Sequence, residues 1–295
     1  MKLLLVDSPY YVYRSFFAIR ELSNSRGEPT NAIYGFVKTL RKMLRDVKPD
    51  LAAVCWDEGL PARRTELQPE YKQNRPAMPD LMRSQIEPIR RLVPLMGLAS
   101  LRVPGTEADD LIAAYTGEAQ RRGMETVIAT NDKDLFQLVN ASTRVYTPTK
   151  DGFELLDDAH VREKWGVTPA QIGDVLCLTG DASDNIPGIP GLGPKRAAAL
   201  IEEFGSIEEL LARAETIANV PIREKVLAGR EQILSNQQMI RLETQGSLPA
   251  PLEELALQPR FPELLAELAP WEFKSLTEEI RAEAGGGPPT QAELF

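Results

Sequence analysis

Short apolar runs alternate with longer amphipathic segments through the first half of the chain. Residues 2–6 (KLLLV), 51–56 (LAAVCW) and 126–130 (TVIAT) have strand length and are apolar nearly throughout, the pattern of strands covered on both faces. Between them, NAIYGFVKTLRKMLRDV and EADDLIAAYTGEAQRRG place apolar residues at helical spacing. Strands alternating with helices predict an α/β domain over residues 1–165, a mostly parallel sheet with helices on both faces. Beyond Gly166 the pattern turns helical. Thr168-Pro169 reads as a helix N-cap followed by proline in the first turn. Ser206 and Glu209 have capping-box spacing, and Gly205 is a natural stop for the helix before them. An all-helical domain is therefore expected over 166–270, followed by a C-terminal segment, 271–295, with a Gly/Pro-rich linker at 285–290. No repeat of solenoid period is present.

Composition narrows the class. A chain of 295 residues with 43% hydrophobic and 26% charged residues fits one large or two ordinary globular domains. The opening MKLLLVD is broken by Asp7 too early for a signal peptide or membrane span, so a cytoplasmic protein with no membrane association is expected. Cys55 and Cys177 lack metal-site spacing and read as reduced core thiols.

A net charge of −9 argues at first against a nucleic-acid partner. Its distribution reverses that. From Pro251 onward nine glutamates face three cations, a local balance of −6, which leaves −3 for residues 1–250. If eight carboxylates in that region hold cations, the rest of it carries +5.

Those eight stand where the elements end. The apolar runs lead into Asp7, into Asp57, and into Asp132 with Asp134 two residues on. Ligands bind at the carboxyl edge of a parallel sheet, so these side chains would converge on one rim. A lone aspartate there serves equally as a turn or cap residue; three together are harder to dismiss. Glu107, Asp109 and Asp110 share the first turn of a helix, where acids also suit the helix dipole. Asp181 and Asp184 stand three apart in GDASDN. With Asp57 set aside as peripheral, the cluster is Asp7, Glu107, Asp109, Asp110, Asp132, Asp134, Asp181 and Asp184. Ionised carboxylates crowded together need counter-charge, and an all-oxygen set selects Mg²⁺ or Mn²⁺. Two such ions about 4 Å apart serve phosphodiester displacement. The single histidine, His160, lies far from these motifs in sequence and reads as a surface residue.

The chain resembles the 5′ nuclease domain of bacterial DNA polymerase I and its stand-alone and phage relatives, the flap endonucleases. The likeness spans about residues 1–280 and rests on EADD (107–110), TNDKDLFQL (130–138), GDASDNIPGIPGLGPK (180–195), YKQNRP (71–76) and WEFKSL (271–276). It implies a PIN-like fold plus a helix-hairpin-helix domain, and a structure-specific 5′-3′ exonuclease and flap endonuclease acting on DNA. The 5′ flap, nicked or forked duplexes met in replication and repair would be its substrates. By the same likeness Asp7, Glu107, Asp109 and Asp110, with Asp132 and Asp134, would form the inner metal site. Asp181 and Asp184 would hold the second ion or its waters, and Asp57 would act from outside through water. Lys72 and Arg75 would reach the scissile phosphate from a helical gateway at about 60–92. Asp7, Asp109, Asp110, Lys72 and Arg75 are the expected catalytic set.

Arg14 would be a further phosphate contact, Arg64 keeps positive charge near the DNA, and Tyr71 is positioned to stack on an unpaired base. A solvated helix face is the plain alternative for YKQNR. GIPGLGPKR is not a nucleotide P-loop, because Arg196 follows Lys195 where Ser or Thr is required. It reads instead as the turn of a helix-hairpin-helix at 180–204. Gly188, Gly191 and Gly193 would let the backbone approach a phosphate, with Lys195 beside them. The turn carbonyls also offer a place for a monovalent K⁺.

The chain departs from the family pattern in three places. Ser8-Pro9 follows Asp7 where glycine is usual, lysines usual after the second aspartate are missing from WDEGLPARR, and Arg196 replaces threonine. None removes a metal ligand, so activity is expected, from a monomer. The end, QAELF, resembles the Gln-x-x-Leu-Phe peptide by which bacterial replication proteins dock on the sliding clamp. Gln291, Leu294 and Phe295 would be the clamp-binding residues. A junction binder without catalysis and an RNA-directed nuclease are the alternatives. The full acid set weighs against the first, and the DNA-gripping turn against the second.

Overall fold

The computed structural model describes residues 1–150 and 152–285. Its main sheet contains β1 (Lys2–Asp7), β2 (Leu51–Cys55), β3 (Ala99–Leu101), β4 (Glu125–Ala129), β5 (Thr143–Pro148) and β6 (Phe153–Leu156). Their order is β3-β2-β1-β4-β5-β6. All neighbours are parallel except β6, which turns back antiparallel on β5. Successive side chains on a strand point to opposite faces, and the core divides accordingly. Leu3, Leu5, Leu51, Ala53 and Cys55 join one apolar cluster, while Leu4, Val6, Ala52, Val54 and Trp56 join the other. That two-sided burial is why the strands are apolar at every position.

Helices α1 (Ser8–Ala18), α2 (Asn31–Val47) and α4 (Asp80–Leu95) cover the second face. The short α3 (Ala62–Leu67) leads into the turns before α4, and α5 (Ala108–Arg121) covers the first face. After α6 (Asp158–Trp165) the helical part comprises α7 (Ile172–Thr179), α8 (Pro194–Phe204), α9 (Ile207–Ala212), α10 (Val220–Ala228) and α11 (Arg230–Ile240). The expected start at Thr168 is a single 3-10 turn running into α7, where Thr168 N–H donates to Gln171 Oε1 at 3.0 Å. Gly205 ends α8 with φ +93°, and Ser206 Oγ accepts from Glu209 N–H at 3.2 Å. One short ladder interrupts the helices, β7 (Gly180–Asp181) with β8 (Ile186–Pro187).

The expected boundary at residue 270 requires correction. Beyond α11 the chain runs back across α5, where Tyr115 Oη donates to the Ala250 carbonyl at 2.7 Å. It then pairs Leu51 with Ala256 beside β2. Helices α12 (Phe261–Leu268) and α13 (Lys274–Ala284) follow, and both pack on the second face of the sheet. Leu264, Leu268, Leu276 and Ile280 share the cluster of Leu4 and Val6. Arg41 on α2 holds Glu279 and Glu283 at 2.5 and 2.8 Å. Amphipathic spacing identifies a helix but does not say which surface it covers. Of the linker expected at 285–290 only Gly285 is described; Gln291, Leu294 and Phe295 lie outside the described residues.

Candidate active site

The acids assemble at the carboxyl edge of the sheet, each fixed by the element that delivers it. Asp7 closes β1 and caps α1. Its Oδ1 accepts from Tyr10 N–H at 3.1 Å and its Oδ2 from Thr130 Oγ at 2.6 Å. The Ser8-Pro9 departure is absorbed because proline in a helix's first turn forfeits no needed donor. Asp57 Oδ1 accepts from Ala108 N–H at 2.9 Å, so the acid after β2 anchors the start of α5. Asp132 Oδ1 accepts from Asp134 N–H at 2.9 Å. From the helical part, β7 and the turn after it bring Asp181 and Asp184 to the same edge. Asp134, Asp181 and Asp184 offer oxygens all within 4.8 Å of one another.

Like charges held this close make the carboxyls hard to ionise. Burial pushes Asp7 up to about 7, only partly offset by the Thr130 and Tyr10 hydrogen bonds. Asp109 is raised well above the ordinary value by burial and then by Asp132 and Asp7. Asp134 is raised likewise, by burial and then by Asp132 and Asp181. Burial also raises Asp132 and Asp57. For Asp181 burial pulls upward, but the Lys133 ammonium at 2.8 Å and Ser183 outweigh it and hold the carboxyl below its ordinary value. Lys133 is a site residue that sequence reasoning passed over, although it stands between the two aspartates of TNDKD. Asp134 Oδ1 is buried and has no hydrogen-bond partner among the described residues. A buried carboxylate oxygen without a donor, in an all-oxygen set, fits a hard divalent cation.

A pH dependence follows. Each raised carboxyl binds its proton more tightly folded than unfolded. Its contribution to stability is therefore present below the ordinary 3.8 and lost as pH rises through the folded value, about 7 for Asp7. In chelator the melting temperature is expected to fall as pH is raised across that window, and excess Mg²⁺ to flatten the decline. Equal slopes with and without Mg²⁺ would count against a shared cation site.

Above the acids lies a strap of turns between α3 and α4, stitched to the turn after β7. Lys72 N–H donates to the Asp184 carbonyl at 3.0 Å, Asn74 Nδ2 to the Ala182 carbonyl at 2.7 Å, and Asn185 Nδ2 to the Glu70 carbonyl at 2.8 Å. Lys72 and Asn185 both adopt left-handed backbone, φ +57° and +61°, which costs energy for residues other than glycine and concentrates at functional sites. The Lys72 ammonium pairs with Glu107 and lies 3.5 Å from Asp184 Oδ2; Arg75 pairs with Asp184. Burial would lower the Lys72 pKa, but Glu107 and Asp184 outweigh it and raise it. The Arg75 side chain keeps 43% of its surface exposed.

Two expected DNA contacts need correction. Arg64 is buried, with Nη1 on Glu107, Nη2 on Asp110 at 2.8 Å and Nε on the Met239 carbonyl at 3.1 Å. Its guanidinium neutralises two of the acids and presents nothing to solvent. Tyr71 is only 3% exposed, its hydroxyl donating to Glu107 and Asp184 at 3.1 Å each. Its ring props up the acids and offers no stacking face. Spacing places both residues in the gateway but cannot tell an inward side chain from an outward one. Arg14 is exposed on α1, with Nη1 on Tyr10 Oη at 3.0 Å. His160 pairs with Asp157 at 2.7 Å at the start of α6, exposed as expected.

The turn expected to grip DNA joins α7 to α8. At Gly188 a Cβ would run into the Thr179 carbonyl, and Gly191 has φ +82°. Gly193, with nothing within 4 Å of a Cβ, caps α8, and Lys195 lies exposed in its first turn. At the turn carbonyls expected to receive K⁺, the Gly191 carbonyl accepts Arg196 Nη1 at 2.9 Å.

Residues 2–166 match the family described as 5′-3′ exonuclease, N-terminal resolvase-like domain, and residues 167–263 the 5′-3′ exonuclease, C-terminal SAM fold. A 5′-3′ exonuclease of Aquifex aeolicus is 36% identical over 94% of this chain and 94% of its own length. The thermostable DNA polymerase I of Thermus aquaticus is 40% identical over 95% of this chain, and DNA polymerase I of Rhizobium leguminosarum 38% over 94%. The chain spans only 33% and 28% of those two polymerases. Among solved structures, a bacteriophage T5 flap endonuclease in complex with DNA and metal ions has a TM-score of 0.69 at 18% identity, covering 97% of this chain and 100% of that one. The catalytic core of Rad2 in complex with DNA substrate has a TM-score of 0.63 at 15% identity, covering 96% and 91%. These two likenesses show the fold.

Proposed function

This chain belongs to the 5′-3′ exonuclease family, and we propose that it is a divalent-metal-dependent 5′ nuclease cutting DNA where duplex meets single strand. The observation that carries this reading is the meeting of acids from two parts of the chain beneath Lys72 and Arg75. Asp7, Asp109 and Asp132 would hold one ion, Mg²⁺ or Mn²⁺, with Asp57 acting from outside; Asp134 joins Asp181 and Asp184 for a second, while Glu107 and Asp110, expected as inner ligands, are engaged by Arg64. When bound, the ions neutralise the carboxylates, polarise the phosphate and activate water. The chain's own residues do the rest. Arg64 pairs with Glu107 and Asp110 and holds them in place, so that the α5 turn presents Asp109 inward. Lys72 and Arg75, paired with carboxylates in the free protein, exchange those partners for the phosphate and stabilise the charge that grows on it. Arg14 and the turn at 188–195 grip the duplex backbone without reading sequence.

Flaps on lagging-strand fragments are the substrates that suit this arrangement, with the protein acting as a monomer. Lys72→Ala is expected to lower turnover on a 5′-flap duplex by about 10²- to 10³-fold with little change in junction affinity; equal loss of both would remove Lys72 from the reacting phosphate. Residues 291–295 would tether the enzyme to a sliding clamp, raising its local concentration at the junction. Clamp binding unchanged after deletion of those five residues would refute the tether.

A further inference from the structure

Two cations stand at the α7–α8 turn. Arg196, in the first turn of α8, reaches back to the Gly191 carbonyl at 2.9 Å. From α10, Lys225 lies so close that a Cβ at Gly191 would meet its Nζ at 2.5 Å. A monovalent ion held on turn carbonyls needs their lone pairs and is repelled by neighbouring positive groups. Here one of the two lone pairs of the Gly191 carbonyl faces a guanidinium, with an ammonium beside it. Where the family pattern has threonine, whose hydroxyl can present an oxygen to a metal, this chain has arginine, which carries donors only and is always charged.

We propose that Arg196 takes the place of a monovalent cation at this turn, so that the grip on duplex DNA does not depend on K⁺. The proposal rests on the reading of residues 188–195 as the duplex grip. A cation drawn from solution makes affinity depend on which salt is present. A tethered guanidinium leaves it dependent only on ionic strength, through release of phosphate counterions.

The test is the affinity of the full chain for a nicked duplex in chelator, measured in KCl and in NaCl at equal ionic strength. Wild type is expected to agree between the salts within about twofold, while Arg196→Thr binds about tenfold more weakly in NaCl and recovers most of that loss in KCl. Arg196 is exposed, and matching melting temperatures would confirm that the variant folds. Wild-type binding that tightens several-fold in KCl overturns the proposal. So does a variant that matches wild type in both salts or is equally weak in both. A wild type that binds duplex in neither salt overturns the grip itself, and this proposal with it.

Discussion

Asp109→Asn is expected to lower Mg²⁺-dependent cleavage of a 5′-flap duplex by at least about 10³-fold while leaving junction affinity within about tenfold of wild type. Asp109 stands in the first turn of α5, raised by burial and then by the charges of Asp132 and Asp7. Asparagine keeps its shape and removes its charge. Less mutual repulsion remains for the fold to contain, so the variant should melt no lower than wild type in chelator and gain less from Mg²⁺. Lost activity in a protein of undiminished stability separates a cation-holding role from a structural one. Activity within tenfold of wild type would remove Asp109 from the ion-binding set.

Arg64→Ala tests the opposite balance, a site where charge must be kept for the fold to survive. Arg64 is 4% exposed and neutralises Glu107, which is 1% exposed, together with Asp110. Removing Arg64 strips Asp110 of its counter-charge and leaves Glu107 with only Lys72 and the Tyr71 hydroxyl, a loss toward the lower end of about 3–5 kcal/mol. Urea denaturation of the variant should show that loss, and Arg64→Ala combined with Glu107→Gln should recover part of it. A single variant destabilised by under about 1 kcal/mol would mean that the carboxylates find other partners at little cost.

The sheet's centre was legible in the sequence because β1, β2 and β4 are buried on both faces. β3 has only three residues, and β5 and β6 (TRVYTP, FELL) mix polar and apolar positions at the sheet's flank, so no apolar run announces them. The acids were legible because each follows an element end in a position that geometry makes convergent. What the spacing could not give was direction. Tyr71 and Arg64 turn inward to carboxylates delivered by α5 and by the turn after β7, segments distant in sequence. Lys133 gains its role only when Asp181 arrives from the helical part. The return of α12 and α13 to the sheet was hidden for the same reason, since their apolar stripes fit any complementary surface. Arg196 was visible as a departure from the family pattern, yet its consequence appears only once the Gly191 carbonyl is seen to be its partner.

The most direct test of the central claim is the reaction of the wild-type chain with a labelled 5′-flap duplex, followed in Mg²⁺ and in chelator beside a single-stranded RNA of the same length. A metal-dependent nuclease acting at junctions will cut the flap near the point where it leaves the duplex, only in Mg²⁺, and leave the RNA intact. Flap binding without cleavage in Mg²⁺, or cleavage of the RNA in preference to the flap, would contradict it.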